Sequence, residues 1–169
     1  MGATSQTAVV GEALAPVAGL ERIEGAVFST HPDATWVLHG VRSNERSSTR
    51  TEHDQLAGVQ AGLSRPQSTR ARLIPMSKSP AWRTLSQDER RSIFEGPSRH
   101  IAIGAKYLPS LARRLSHGRD LGAAFDFLTC FESAPADEAA FDALLLELRS
   151  SAERRFVSRE VELRLSRAG

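Results

Sequence analysis

The stretch FDFLTCF at residues 125–131 decides the fold class, because its side chains alternate between two sets. One set is Phe125, Phe127, Thr129 and Phe131, and the other is Asp126, Leu128, Cys130 and Glu132. Alternation with a period of two is typical of a β-strand, in which successive side chains point to opposite faces of a sheet. We therefore predict a strand over residues 125–131.

A helix and a second strand follow along the chain. Residues 141–148 carry apolar side chains at the spacing i, i+3, i+4 and i+7, which predicts an amphipathic helix. Residues 156–165 alternate again, which predicts a last strand with its apolar side chains facing inward. The apolar positions are Phe141, Leu144, Leu145 and Leu148 in the helix and Val157, Val161, Leu163 and Leu165 in the strand. Strands mixed with helices indicate a sheet with helices packed on one face.

Two more strands are predicted upstream, over residues 36–41 and 71–76, the second ending at Pro75. Ser86 and Glu89 form a capping box, in which each side chain can bond the backbone N–H of the other. This box opens the first of three predicted helices. The three helices cover residues 86–94, 98–107 and 108–116.

The remaining segments are weakly patterned. Residues 1–30 are expected to be a short, weakly structured N-terminal segment, with at most a short strand at 8–10. Residues 42–72 form a polar excursion with one helix near 52–60. The 169 residues suffice for one core, so residues 31–169 are predicted to be a single domain. The fold class is α+β, and our first choice is a ferredoxin-like antiparallel sheet covered by helices.

Composition excludes several classes of protein. The 22 Lys and Arg residues nearly balance the 20 Asp and Glu residues, and the arginine clusters lack interleaved aromatic side chains, so no nucleic-acid partner is expected. The single cysteine excludes an internal disulfide framework and cysteine-ligated zinc or iron–sulfur sites. No apolar run is long enough to span a membrane. With no basic N-terminal region typical of a secretion signal, we expect a cytoplasmic protein.

His100 is the candidate metal ligand. The chain has no glycine-rich phosphate loop and no G-x-S-x-G or H-E-x-x-H motif, and its five histidines are scattered. One histidine can still bind a metal whose other ligands belong to an organic group, and haem is the commonest such group. The apolar run after His100 suits a desolvated macrocycle. The residues alone favour the other interpretation, a partly buried structural histidine at a helix start.

Arg113 and Lys78 are candidates for anion binding. A bend at Pro109 would let His100 and Arg113 stand on opposite faces of one ligand, although a surface arginine explains the pattern as well. Lys78 follows an extended segment and could neutralise a carboxylate such as a haem propionate. A solvated loop lysine is the alternative.

At these residues the chain resembles the chlorite dismutase family, in particular its short, dimeric bacterial branch. The similarity is carried by several blocks in the same order along the chain. These blocks are Ile74-Pro75-Met76-Ser77-Lys78, Leu85-Ser86-Gln87-Asp88-Glu89-Arg90-Arg91, Ser98-Arg99-His100-Ile101-Ala102-Ile103-Gly104, Lys106-Tyr107-Leu108-Pro109 and Phe125-Asp126-Phe127-Leu128-Thr129.

The resemblance implies a cytoplasmic homodimer that binds haem b (iron protoporphyrin IX). It implies a ferredoxin-like fold of the dimeric α+β barrel type, here with a truncated N-terminal half. His100 matches the proximal iron ligand, Arg113 the mobile distal arginine, and Lys78 the lysine beside the propionates. Ile74 matches a pocket-lining position. A carboxylate should accept the second N–H of the proximal imidazole, and the spacing favours Glu153, with Glu160 in reserve.

The implied reaction is the decomposition of chlorite to chloride and dioxygen. Arg113 would hold the hypochlorite anion that leaves when an O–Cl bond breaks. Related coproheme decarboxylases carry tyrosine at the position of Ile74 and glutamine at that of Arg113, so both residues argue against decarboxylation. Two other functions stay open: a haem carrier without turnover, and a weak haem peroxidase.

Overall fold

The computed structural model describes residues 1–25, 31–42, 62–95, 103–104, 106–107 and 110–167. These residues form one antiparallel six-stranded sheet with the strand order β1-β6-β3-β5-β4-β2. The strands are β1 Gly2–Val10, β2 Val41–Arg42, β3 Arg70–Lys78, β4 Ala112–His117, β5 Phe127–Ser133 and β6 Val157–Ser166. The helices are α1 Pro80–Thr84, α2 Gln87–Glu95 and α3 Glu138–Arg149, with short 3-10 turns at Arg119–Leu121, Pro135–Asp137 and Ala152–Phe156. The predicted α+β class with an antiparallel sheet is confirmed.

The sheet buries two apolar clusters, one on each face. On the helix side, α3 packs its predicted apolar stripe on β3 and β5. This helix-side cluster contains Ile74, Leu111, Phe131, Phe141, Leu144 and Leu145, with Ile103, Tyr107 and Leu148 packed against it. The opposite face is covered by irregular segments from residues 11–25 and 31–42. The coil-side cluster contains Phe125, Val161 and Leu163, with Leu14, Leu20, Trp36, Leu38, Leu73 and Leu128 against it.

The strand over 125–131 and the last strand are confirmed with small shifts. β5 begins at Phe127, and Phe125 belongs to the coil-side cluster instead of sharing a face with Phe131. β6 presents Val161 and Leu163 to the coil side as predicted. Its other face is buried as well, since Glu160 and Glu162 have 1% and 5% of their surface exposed.

The predicted helix over 108–116 is wrong. Residues Ala112–His117 are strand β4, which pairs with β5 through six consecutive residues, from Ala112 opposite Glu132 to His117 opposite Phe127. The Leu-Ala-Arg-Arg-Leu spacing is compatible with a helix, but hydrogen bonding to a distant strand outweighs such a local preference.

The predicted strand over 36–41 is also wrong for most of its length, because regular pairing is confined to Val41–Arg42. Trp36 and Leu38 pack onto the coil-side cluster, and the Trp36 indole N–H donates to the Ala15 carbonyl at 2.8 Å. These apolar side chains are therefore buried by packing on the sheet face, without joining its hydrogen-bonded ladder.

The expectation of a weakly structured segment over residues 1–30 is wrong for residues 2–10. They form β1, which pairs with β6 from Gly2 opposite Ser166 to Val10 opposite Glu160. The small uncharged residues are by themselves a weak signal for a strand. The segment forms one because it hydrogen-bonds to β6, which is distant in sequence.

β3 continues through Pro75, where the sequence predicted it to end. Pro75 lies opposite Leu128 of β5 and is almost fully buried. On the other side, paired positions with β6 are resolved at Leu73 and again from Met76 onward. Proline has no N–H to donate, so this inner strand tolerates it at the cost of a ladder hydrogen bond.

The capping box is confirmed. The Ser86 N–H donates to Glu89 Oε2 at 2.7 Å, and the Glu89 N–H donates weakly to Ser86 Oγ at 3.4 Å. Helix α2 begins at the next residue, Gln87.

Some predictions lie outside the described residues. These are the helix near 52–60, most of the helix over 98–107, and His100 itself. Of the latter helix, residues 103, 104 and 106 are described and are helical. Within the described ranges, no helix is long and apolar enough to cross a membrane.

Candidate functional site

The candidate site lies on the helix-side face of the sheet, where β3, β5 and β4 run side by side. Paired residues of antiparallel strands share a face, so the register places one row of side chains beside another. Six half-buried residues on this face form a patch that we call the open face. They are Met76, Arg113, Leu115, His117, Phe127 and Thr129. The rings of His117 and Phe127 are in contact, 5.0 Å apart between centroids. The open face is thus a partly accessible surface on which three apolar side chains lie beside an arginine, a histidine and a threonine.

Ile74 borders this open face on the buried side. It lies opposite Thr129, is 4% exposed, and belongs to the helix-side cluster beneath α3. Ile103 packs against the same cluster. Ile103 therefore packs on the sheet face that carries Ile74.

Tyr107 is fastened to its surroundings by hydrogen bonds. Its hydroxyl donates to Glu147 Oε1 of α3 at 2.6 Å, and its carbonyl accepts from the Leu111 N–H at 3.2 Å. The hydrogen bond to Glu147 raises the pKa of the tyrosine and lowers the pKa of the Glu147 carboxyl. Lys106 adds a contact of 2.9 Å to the same carboxylate. Tyr107 is therefore linked to α3 through Glu147 and to Leu111, which directly precedes β4.

Arg113 stands on β4 directly opposite Phe131, which lies between it and β3. Phe131 and Thr129 therefore separate Arg113 from Ile74 on one face of the sheet. The structure brings these two predicted residues onto the same face, two strands apart, roughly 10 Å in the hydrogen-bonding direction.

Lys78 and Glu153 form a buried ion pair. β3 ends where β6 begins, with Lys78 opposite Val157, and the 3-10 turn Ala152–Phe156 places Glu153 just before that strand. The Lys78 ammonium donates to Glu153 Oε1, and the two side chains are 2% and 9% exposed. The Lys78 Nζ also lies 5.0 Å from the centre of the Trp82 ring.

Glu160, the reserve candidate, is engaged elsewhere. Arg149 donates to its Oε1 through Nε at 2.9 Å and through an Nη at 2.7 Å. Arg154 donates to its Oε2. Both oxygens of Glu160 are therefore held by guanidinium groups, whereas Glu153 is held by a lysine.

The predicted residues thus fall into two groups. Lys78 pairs with Glu153 at one end of the sheet, and Ile74 shares a face with Arg113. Arg113 is level with Arg72 of β3, because Phe131 pairs with both. Lys78 lies six residues further along β3, a separation of about 20 Å along the strand. His100 is outside the described residues. Among those that are described, no cluster of three His, Cys, Asp or Glu side chains is placed to hold a metal ion.

Sequence reasoning missed Leu115, Thr129 and Phe131 as neighbours of Arg113. The alternation at residues 127–131 already put Thr129 and Phe131 on one face. What was lacking was the strand assignment of residues 112–117, since a helix there gives Arg113 different neighbours. The Lys78–Glu153 pair joins residues 75 positions apart, and no local pattern signals it.

Comparison with known proteins shows similarity to chlorite dismutases. The chlorite dismutase family model matches residues 20–168. The crystal structure of a dimeric chlorite dismutase from Nitrobacter winogradskyi superposes with a TM-score of 0.90 at 45% identity, covering 98% of this chain and 93% of that one. No sequence among the curated proteins is similar to this one.

A longer chlorite dismutase, from Candidatus Nitrospira defluvii in complex with imidazole, is also similar. It superposes with a TM-score of 0.61 at 25% identity, covering 77% of this chain and 54% of that one. A mutant of that enzyme in complex with cyanide, 23% identical with a TM-score of 0.63, shares the fold. The chain thus matches about half the length of the Nitrospira enzyme.

Proposed function

This chain belongs to the chlorite dismutase family, and we propose that it is a haem b-dependent oxidoreductase that converts chlorite to chloride and dioxygen. The observation that carries the proposal is the position of Arg113 on the open face, beside half-buried apolar side chains and on the side of the sheet where residues 103 and 107 pack.

The open face suits a flat, apolar macrocycle. Met76, Leu115 and Phe127 are half-buried there, next to the closed cluster of Ile74 and Phe131. A haem covering such side chains would gain about 25 cal/mol for each Å² of apolar surface removed from water. We propose that Ile74 lines this pocket and that the fold is ferredoxin-like, of the dimeric α+β barrel type.

The proposed proximal side consists of His100, Glu153 and Lys78. His100 is the proposed iron ligand, and Glu153 the acceptor for the second N–H of its imidazole, which raises the basicity of the ligand. The Lys78 contact supports this choice, because an ammonium beside a buried carboxylate favours its ionised, hydrogen-bond-accepting form. Glu160 is less suited, since two arginines engage its oxygens. That Lys78 also lies near the haem propionates stays a prediction.

Arg113 is the proposed catalytic residue. When bound, haem supplies the iron at which chlorite is cleaved and the O–O bond of dioxygen is made. The guanidinium of Arg113 attracts the chlorite anion and retains hypochlorite until the oxygen atoms join. A half-buried position strengthens this attraction, because a lower effective dielectric increases the interaction between charges. Ile74 in place of tyrosine and Arg113 in place of glutamine argue against coproheme decarboxylation.

Oxygen release tests the proposed reaction. Haem-loaded protein mixed with chlorite in an oxygen electrode should evolve dioxygen, and Arg113→Ala should reduce the rate by about 10²- to 10³-fold while keeping its haem. Arg113→Lys is the matched control for charge, and we expect partial activity. No oxygen from fully loaded wild-type protein would overturn chlorite turnover. Haem transfer to an apo-acceptor would then indicate a carrier, and a lasting oxidised spectrum with hydrogen peroxide would indicate a peroxidase.

Haem binding is tested separately by absorbance. The wild-type protein supplied with haem should show a Soret band, and His100→Ala should lose it or shift it to the spectrum of an iron without a protein ligand. Haem titration of His117→Ala is the control, because His117 is the histidine on the open face. An unchanged spectrum in His100→Ala would exclude His100 as the ligand.

We also propose that the protein is a homodimer, because the similar Nitrobacter protein is described as dimeric. Light scattering coupled to size-exclusion chromatography measures this directly, and the mass of one 18.4 kDa chain would contradict it.

A further inference from the structure

The connection between α3 and β6 carries Glu153 and is short. It runs from Ser150 to Phe156 and includes the 3-10 turn Ala152–Phe156. Within it the Arg154 N–H donates to the Ser151 carbonyl at 3.0 Å. A turn of this length has few internal hydrogen bonds, so contacts with neighbouring elements must set the direction of its side chains.

Glu160 makes those contacts from both sides of Glu153. It is 1% exposed on the helix-side face of β6. Its Oε1 accepts two hydrogen bonds from Arg149, the last residue of α3, and its Oε2 accepts from Arg154, the neighbour of Glu153. One buried carboxylate thus ties the start and the middle of the connection to β6.

We propose that Glu160 is a positioning residue that holds Glu153 in the orientation in which it accepts a hydrogen bond from the proximal imidazole. The inference rests on the proposed function, because it needs a haem ligated by His100. In this proposal Glu160 does not contact the haem, and it acts through Arg154 on the turn that carries Glu153.

Glu162 provides a matched control. It lies two residues further along β6, is also buried, and accepts from the same Arg149 at 2.9 Å. Among the described residues its other cationic partners are Arg164 and Arg72, on β6 and β3. Replacing Glu162 removes a partner of the same Arg149 but leaves Arg154, the residue next to Glu153, with its contact to Glu160.

The experiment measures the iron–imidazole stretching band of the ferrous haem protein by resonance Raman spectroscopy. A carboxylate that accepts from the imidazole strengthens the iron–nitrogen bond, so Glu153→Gln should lower the frequency. Glu160→Gln should lower it in the same direction by a smaller amount, with haem affinity reduced about tenfold. Glu162→Gln should leave the band in place. In the double variant Glu153→Gln/Glu160→Gln the two shifts should not add, since both act through one hydrogen bond.

Arg154→Gln is a second route to the same result if Glu160→Gln folds poorly. Its side chain is 24% exposed, so its loss is milder, and it should produce the same shift as Glu160→Gln. A band that moves in Glu153→Gln but not in Glu160→Gln or Arg154→Gln would overturn the inference alone. Absence of haem ligation by His100, or a band unmoved in Glu153→Gln, would overturn the proposed proximal site and the inference with it.

Discussion

Two regions of the helix-side face differ in the pairing of their charged groups and in the exposure of their apolar side chains. Over β6 and β3 lies an ion-pair cluster, in which each carboxylate contacts at least one guanidinium group. We define this cluster as Arg72, Glu138, Arg149, Arg154, Glu160 and Glu162. Over β5 and β4 lies the open face, where apolar side chains are half-buried around Arg113. The first region pairs its charged groups within the chain, whereas the second leaves apolar side chains partly exposed, where we propose that haem binds. Substitutions in the first should therefore affect mainly stability, and those in the second mainly binding and turnover.

The largest expected loss of stability comes from removing the central carboxylate of the ion-pair cluster. Glu160→Ala should lower the free energy of unfolding by about 3–5 kcal/mol, because it leaves two guanidinium groups without their buried partner. Urea unfolding followed by circular dichroism measures this. Asp142→Ala is the control, since its side chain and that of its partner Arg164 are 49% and 38% exposed, and such a pair should contribute less than about 1 kcal/mol. Equal losses in the two variants would contradict the description of the cluster as buried.

A pair of leucines sharpens the comparison. Leu144 is 3% exposed in the helix-side cluster, and Leu144→Ala should cost about 2–5 kcal/mol in haem-free protein. Leu115 on the open face is half-buried, so Leu115→Ala should cost about 1 kcal/mol or less. Haem retention should show the reverse order, measured by competition with an apo-globin. If Leu144→Ala impaired haem retention more than Leu115→Ala, the open face would not be the haem surface.

The smallest effect concerns pH at the rim of the ion-pair cluster. The hydrogen bond from Arg72 lowers the pKa of the Glu138 carboxyl below its ordinary value of 4.5. A lowered pKa means that the ionised group stabilises the folded state above about pH 4.5, and that this stabilisation is lost as pH falls through the folded-state pKa. Wild-type protein should therefore melt at a slightly higher temperature than Glu138→Gln near pH 6, and the difference should vanish towards pH 3. A difference that grew on acidification would contradict this.

The sequence predicted those elements whose pattern is local. The alternation around Thr129, the stripe of α3 and the Ser86 capping box all appear where they were expected, because each is a short-range signal. β1 and β4 could not be predicted in this way. Their residues are small or compatible with a helix, and the hydrogen bonds that make them strands come from β6 and β5.

The same distinction applies to the candidate site. The candidates Ile74, Lys78, Arg113 and Glu153 came from family blocks and spacing, but their neighbours did not. The contact between Lys78 and Glu153 depends on the end of β3 meeting the start of β6. Charged residues on an alternating strand are ordinarily expected to face solvent, but Glu160 and Glu162 are buried. Their burial follows from the arginines that α3 and the adjacent turn place beside them.

The pairing of β1 with β6 has a consequence for how the protein is made. Residues 2–10 are synthesised well before their partner at residues 157–166. Contacts between residues this distant in sequence are slow to form, because closing the long intervening loop costs entropy before the contacts can stabilise the chain. Until then β6 is absent and the inner strand β3 has one free edge, a surface prone to pairing with other chains. The nascent protein therefore depends on the late docking of β6 between β1 and β3, and we expect its yield to be sensitive to holdase chaperones.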